Sequence, residues 1–247
     1  MRPGEHARTS EFEDRYWWFV ARRRVLLDLL RRAAAPGAPG VLADVGCGGG
    51  AQLREYARSW RAIGVDPSPD ALALTRGRAG VPVVAGDAQR LPLASGSLAV
   101  LSLLDVLEHC DDDGEAAREA LRVLRPGGVL VISVPAYRWL WSGEDVVSEH
   151  RRRYTRGSLR KVLEGAGFRI ERLSHLFMLA LPGVAAVILL GRLLVPSTRT
   201  ESNLRLLPPW LNGILAAACG LEGRVVRRLD LPCGSSIVGI ARRPGPP

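Results

Sequence analysis

The chain has 247 residues, 47% of them hydrophobic and 24% charged, which excludes wholesale disorder and fits one large core with an appendage. Its formal net charge is +9, and Lys161 is the only lysine among 34 basic residues, so the arginine excess points to anionic groups in general and to no particular partner. Cysteines at 47, 110, 219 and 233 form neither a CxxC pair nor a metal-ligand spacing, and the opening MRPGEHARTSEFEDRYWWF lacks a secretory layout; free thiols, a reducing cytoplasmic setting and no metal site are expected.

A helix is predicted over about residues 16–35, closed by Pro36-Gly37-Ala38-Pro39-Gly40. Short apolar runs then alternate with amphipathic ones, the pattern of βαβ units and a parallel sheet. The predicted strands are VLADVG, AIGVD, VPVVAGD, SLAVLSLLD, VLVISVP and FRIERLSH; the helices AQLREYARSW, PDALALTRGRAG, GEAAREALRVLRPGG and TRGSLRKVLEGAG fall between them. Residues 176–195 break this rhythm, with one charge, Arg192, and one proline, Pro182, close to the ~20 apolar residues of a spanning helix. A polar stretch, STRTESN, leads to a second apolar helix over 208–229, and GSSIVGIARRP reads as a closing strand. Pairing of the sixth strand with this last one would make residues 176–233 a helical insertion. The expected division is a helical cap over 1–39, a core over 40–175, the insertion, and a closing strand and tail over 234–247. For the insertion, a lid or homodimer surface is preferred over an interfacial helix pair that touches a membrane peripherally, and both over a true span.

The turn Gly46-Cys47-Gly48-Gly49-Gly50-Ala51 ends a strand and opens a helix, so bare backbone and a helix N-terminus can approach a ligand. It satisfies GxGxxG/A, and a dinucleotide reading stays open on the turn alone. Asp44, two residues earlier, would repel a pyrophosphate and suits a cationic ligand such as S-adenosylmethionine, which has a sulfonium, an amino group and no phosphate. Asp66 in GVDPS can accept from ribose hydroxyls, and Asp87 in AGDAQRLPL can accept from the adenine amine. Structural duties compete: Asp66 before Pro67 can cap a helix, Asp44 can bond the turn's own amides, and Cys47 can be a small packed residue.

Together, DVGCGGG, GVDPS, GDAQRLPLASGSLAVLSLLDVLEH and RVLRPGGVLVISVP resemble the class I S-adenosylmethionine-dependent methyltransferases over about residues 40–175, particularly the small-molecule branch that includes ubiquinone and menaquinone biosynthesis enzymes. The resemblance implies a Rossmann-like seven-stranded sheet, mostly parallel with an antiparallel last strand. It implies Asp44, Gly46, Cys47 and Gly48 at the methionine end, Asp66 and Pro67 at the ribose, Asp87 and Ala88 at the adenine, and Asp105 under the sulfonium. Gly49-Gly50 departs from the Thr/Ser-Gly that the family often has.

Methyl transfer is an in-line displacement that needs an oriented nucleophile and, for an acceptor of high pKa, a base. His109 and His150 are the candidate bases. The run PAYRWLWSGEDVVSEHRRRYT is unusually aromatic and basic for a connection, and Tyr137, Trp141, Arg153 and Tyr154 are expected to shape an acceptor pocket. Trp18, in YWWF, joins them if the first helix acts as a lid; packing on the sheet is the equal alternative. The expected activity is methyl transfer to oxygen, nitrogen or carbon of a small-molecule or lipid-linked acceptor, in biosynthesis, without nucleic acid. An NAD-type oxidoreductase and a non-catalytic membrane-associated scaffold are the alternatives.

Overall fold

The computed structural model describes residues 5–35, 39–194 and 207–245. In chain order it comprises α1 (Glu5–Glu13), α2 (Trp17–Ala33), β1 (Val41–Val45), α3 (Ala51–Ala57), β2 (Arg61–Asp66), α4 (Pro69–Ala79), β3 (Val83–Ala85), β4 (Leu98–Leu104), α5 (Asp113–Val123), β5 (Leu124–Pro135), α6 (Gly143–Val147), α7 (Arg156–Gly165), β6 (Arg169–Leu176), α8 (Leu181–Leu194), α9 (Pro209–Val226) and β7 (Ser236–Arg242). The stretch STRTESN lies outside the described residues.

The sheet runs β3-β2-β1-β4-β5-β7-β6. β1, β2, β3, β4 and β5 are parallel, and β7 is antiparallel to both β5 and β6. The pairing of β6 with β7 therefore encloses α8 and α9. Every residue of β4 is buried, as a central strand covered on both faces requires, whereas the edge strand β3 is half open. Alternation divides the core between the two faces. On β5, Val129 and Val131 pack with Leu26, Leu30, Tyr56 and Val226, while Leu130, Ile132 and Val134 pack with Ala120, Val123, Leu159 and Leu163.

Helix α2 buries Trp17, Ala21, Val25 and Leu29 at fourfold spacing, with Leu26 and Leu30 beside them. Tyr16 offers α2 no side-chain cap; Asn212 of α9 accepts from the Trp17 amide at 2.8 Å and donates to the Arg15 carbonyl at 2.8 Å. A polar cap thus arrives from 195 positions away and ties the insertion to the first long helix. The two helices approach closely because Gly223 lacks a side chain: a Cβ there would stand 2.5 Å from Val25 Cγ2. Buried Glu222 accepts from the Met178 and Leu179 amides at 2.9 and 3.1 Å, fixing the turn that launches α8.

Several boundaries differ from the sequence expectation. The helix predicted through RPGG stops at Val123, and β5 starts at Leu124, because Leu124 already pairs with Leu98 on β4. The run predicted as one helix does not start as one: Leu176 completes β6 opposite Ser236, Phe177 turns with φ +67°, and the described residues of α8 begin at Leu181. Among the described residues no helix is long and apolar enough to cross a membrane. β3 stops at Ala85, so Asp87 sits in a loop, bridged to Arg90. Within the expected helical cap, α1 was not placed as a separate helix; its strongly polar sequence has no apolar stripe to read.

Candidate functional site

The order of strands reverses between β1 and β4, and an open α/β sheet leaves a crevice at the carboxyl ends of its strands where the order reverses. A cavity of about 1190 Å³ occupies that place. This exceeds the roughly 300–1,000 Å³ of an ordinary ligand site, enough for two molecules side by side.

One end is the glycine turn. Gly46, Gly48 and Gly50 have φ of +71°, +52° and +81°, in the left-handed region, and a Cβ on Gly46 would meet Val106 Cγ2 at 2.6 Å. Asp66, 4% exposed, accepts from the Gly48 amide at 3.0 Å and the Ser68 amide at 2.9 Å, so it braces the turn while its carboxylate faces the cavity. Asp44 is buried at the end of β1; burial pushes its carboxyl up to about 7, against hydrogen bonding from Ser102 and the attraction of Arg22. Asp105 follows β4 with φ +55°, accepts from Ser133 Oγ at 3.1 Å and is ion-paired to Arg22. A non-glycine residue held left-handed inside a binding crevice is backbone strain retained where a ligand would touch it.

Sequence reasoning missed Arg22 as a site residue. It reaches into the cavity from α2 and lies 4.4 Å over the Trp18 ring; burial lowers it to about 10, opposed by Glu13 and Glu108. Glu13 and Asp14, also missed, pair with Arg78 of α4, and Arg54 of α3 joins Asp14. The α1–α2 corner is thereby strapped across the glycine turn. All four residues of YWWF line the cavity; Trp17 is in addition buried edge-on against Phe177 at 5.4 Å, so packing on the core and covering the cavity are combined.

The opposite end carries His109 and His150, whose rings meet edge to face at 4.7 Å. His150 Nδ1 bonds Asp145 Oδ1 at 2.9 Å, and Arg153 donates to both oxygens of the same carboxylate at 2.7 and 2.9 Å. Asp145 has no exposed surface; burial opposes its charge, but His150 and Arg153 outweigh burial and hold it down at about 2. Ser142 starts α6 in a capping box with Asp145, which orients that carboxylate. Burial drives His109 down to about 3, helped by His150, and raises Glu108 to about 8. No metal cluster was legible in the sequence, yet the fold gathers Glu108, His109 and His150 with one donor atom each within 4.8 Å of the others. Beyond them the wall is apolar, formed by Val184, Val187 and Ile188 of α8 and Leu211 and Leu215 of α9.

Asp44, Gly46, Cys47, Gly48, Asp66, Pro67, Asp105, His109, His150, Trp18 and Arg153 all line the cavity; Asp87, Ala88, Tyr137, Trp141 and Tyr154 are not among its lining residues. Asp87 accepts from the Gln89 amide at 2.8 Å in its loop. Tyr154 is 3% exposed and donates to Asp113 at 2.7 Å in the core on the α5 and α7 face. Tyr137 stacks on His175 at 5.3 Å and bonds its Nε2 at 2.9 Å, away from the crevice. Trp141 offers its carbonyl to Arg192 of α8, bracing that helix. The aromatic run thus supports the site's scaffold more than its wall. The four cysteines are unpaired; Cys47 packs near Thr75, and burial pushes its thiol up to about 12.

The sheet order, the glycine turn at its reversal and the crevice above it define a Rossmann-like cofactor-binding protein. Residues 43–132 match the family model described as a methyltransferase domain. A probable S-adenosylmethionine-dependent methyltransferase of Mycolicibacterium smegmatis is 34% identical over 172 residues, 68% of this chain and 65% of that protein. A ubiquinone biosynthesis O-methyltransferase of Azorhizobium caulinodans is 34% identical over only 96 residues, 36% of this chain and 38% of that protein, so the narrower branch is a weak likeness. An S-adenosylmethionine-dependent methyltransferase structure from Mesorhizobium loti superposes with a TM-score of 0.58 at 17% identity, covering 89% of this chain and 98% of that one, a likeness of fold. The chain belongs to the class I S-adenosylmethionine-dependent methyltransferases, the family whose cofactor is S-adenosylmethionine. It spans about half to two thirds of the length of the first curated relatives it matches.

Proposed function

We propose that the chain transfers the methyl group of S-adenosylmethionine to a small or lipid-linked acceptor with an apolar body, in a biosynthetic reaction. One observation carries the reading: a single cavity joins the glycine turn with Asp44 and Asp66 to the His109–His150 end and its apolar wall. In this reading Asp44 pairs with the cofactor's cationic amino group, Gly46, Cys47 and Gly48 offer backbone to the methionine end, Asp66 and Pro67 hold the ribose, and Asp105 lies under the sulfonium. Asp87 and Ala88 flank the adenine side beyond β3. Arg22, freed from Asp105, meets the methionine carboxylate. Trp18, His109, His150 and Arg153 face the acceptor, whose apolar part rests on α8 and α9.

A dinucleotide is opposed by the buried Asp44 beneath the turn, where a pyrophosphate would gain a second anion. Calorimetry with S-adenosylmethionine, S-adenosylhomocysteine and NAD tests the choice, with Asp66→Ala as control. The expected result is binding of the first two, lost in the variant. Binding of NAD alone would overturn the reading, and binding of none would favour the non-catalytic scaffold.

A further inference from the structure

We propose that Glu108, His109 and His150 form a divalent transition-metal site that faces the acceptor half of the cavity. This rests on the methyltransferase reading for its use and on geometry for its existence. The three side chains each offer one donor atom, all within 4.8 Å of one another, and all three line the cavity. Glu108 has no exposed surface, yet neither carboxylate oxygen has a hydrogen-bond partner among the described residues. A buried carboxylate without donors is expensive unless something cationic completes it. Arg22 is ion-paired to Asp105 and Arg153 to Asp145; both guanidinium groups attract the Glu108 carboxylate, but neither donates a hydrogen bond to it.

The His150 imidazole is set as a ligand is. His150 uses Nδ1 toward buried Asp145, which leaves its Nε2 for a ligand and fixes the tautomer. Metal-bound histidines commonly engage a carboxylate or a carbonyl through their second nitrogen. The two ligand segments are also stitched together: the Arg151 amide donates to the Glu108 carbonyl at 2.8 Å and Arg151 Nε to the His109 carbonyl at 3.0 Å. Two imidazoles and one carboxylate suit zinc, cobalt, manganese or iron, whereas calcium and magnesium favour oxygen ligands throughout.

Three protein ligands leave coordination positions open toward the cavity, where a hydroxyl oxygen of the acceptor would bind. The ion lowers the hydroxyl's pKa and its proton passes to solvent. The oxygen then forms a bond to the methyl carbon as the carbon–sulfur bond breaks, with the bonding pair leaving on sulfur as S-adenosylhomocysteine. The acceptor is on this account an alcohol or phenol.

The test titrates the tag-free full chain, stripped with chelator, with Co²⁺ by visible absorption and with Zn²⁺ by calorimetry. Expected are one ion per chain and at least about a tenfold loss of Zn²⁺ affinity in Glu108→Gln, in His150→Ala and, through the lost orienting bond, in Asp145→Asn. Sub-stoichiometric binding, or unchanged affinity in both Glu108→Gln and His150→Ala, would overturn the site. Parallel titration with S-adenosylmethionine separates the two readings. Cofactor binding without metal binding removes only the metal; metal binding without cofactor binding keeps the site and removes the methyltransferase reading. Glu108→Gln keeps the side chain's shape, so circular dichroism of that variant also shows that any loss is not a loss of fold.

Discussion

The two ends of the cavity are built by opposite strategies. At the glycine end, Asp44, Gly46, Gly48 and Asp66 come from two adjacent strands and their turns, and bonds such as Gly48 N to Asp66 Oδ2 join near neighbours in the sheet. At the acceptor end, Trp18, Glu108, His150, Val187 and Leu211 come from five distant segments, and α8 is held by carbonyl contacts from Arg192 to Trp139 and Trp141 with no fully buried residue of its own. The first end is a rigid consequence of the fold; the second is an assembly resting on it. A fixed cofactor with a replaceable acceptor wall is what a fold serving many substrates requires.

The largest effect that would sharpen this contrast is expected at Asp66. Removing its carboxylate in Asp66→Ala unbraces the turn as well as the ribose contact. S-adenosylmethionine affinity should fall at least about 100-fold, the equivalent of about 2.7 kcal/mol, by calorimetry. An undiminished affinity would mean that the glycine end is not the cofactor site.

Asp145→Asn strikes the other end. The folded Asp145 carboxyl is depressed to about 2 from 3.8, so its contribution is fully present above about pH 4 and is lost as pH falls toward 2. The variant should cost about 2 kcal/mol at pH 7, read by denaturant titration, and the gap from the parent should shrink below about pH 4. A gap independent of pH would show that the buried carboxylate is not the source.

Asp44 gives an effect of opposite sign. Its raised folded value means that the ionised form costs stability, so the ligand-free protein should weaken as pH rises from about 4 to about 7. If Asp44 pairs with the cofactor's cationic group, affinity should increase about eightfold between pH 6 and 7.5, and Asp44→Asn should flatten that rise.

The smallest effect is expected on the outer face of α8. Leu193 and Leu194 are 77% and 76% exposed, so replacing either with serine should change stability by less than about 0.5 kcal/mol. Val184→Asp, on the cavity wall, should raise KM for an apolar acceptor at least about tenfold while leaving cofactor affinity unchanged. Equal effects of the two substitutions would erase the distinction between inner wall and outer face.

Most of the strand order's ingredients were legible because they are local. Buried central strands read as unbroken apolar runs, and a strand that ends in glycines announces its turn. The pairing of β6 with β7 followed from the same reasoning, since a closing strand after an apolar excursion has an open edge to meet. Boundaries such as the start of β5 at Leu124 were not legible, because Leu124 chooses strand over helix only when Leu98 is beside it. The aromatic run misled for a related reason: Tyr137 and Tyr154 are attractive as ligand contacts in sequence, but His175 and Asp113 claim their hydroxyls in three dimensions.

By itself, then, the sequence determined the doubly wound core, the glycine turn and the carboxylates Asp44 and Asp66 at the ends of β1 and β2. These depend on periodicity and on backbone geometry within a few residues. Only the tertiary structure decided that Asn212 caps α2, that Arg22 enters the crevice, and that Glu108 and His109 meet His150. Such contacts join residues roughly forty to two hundred positions apart, and no local pattern encodes them. They exist because packing two faces of one sheet brings those segments to the same edge.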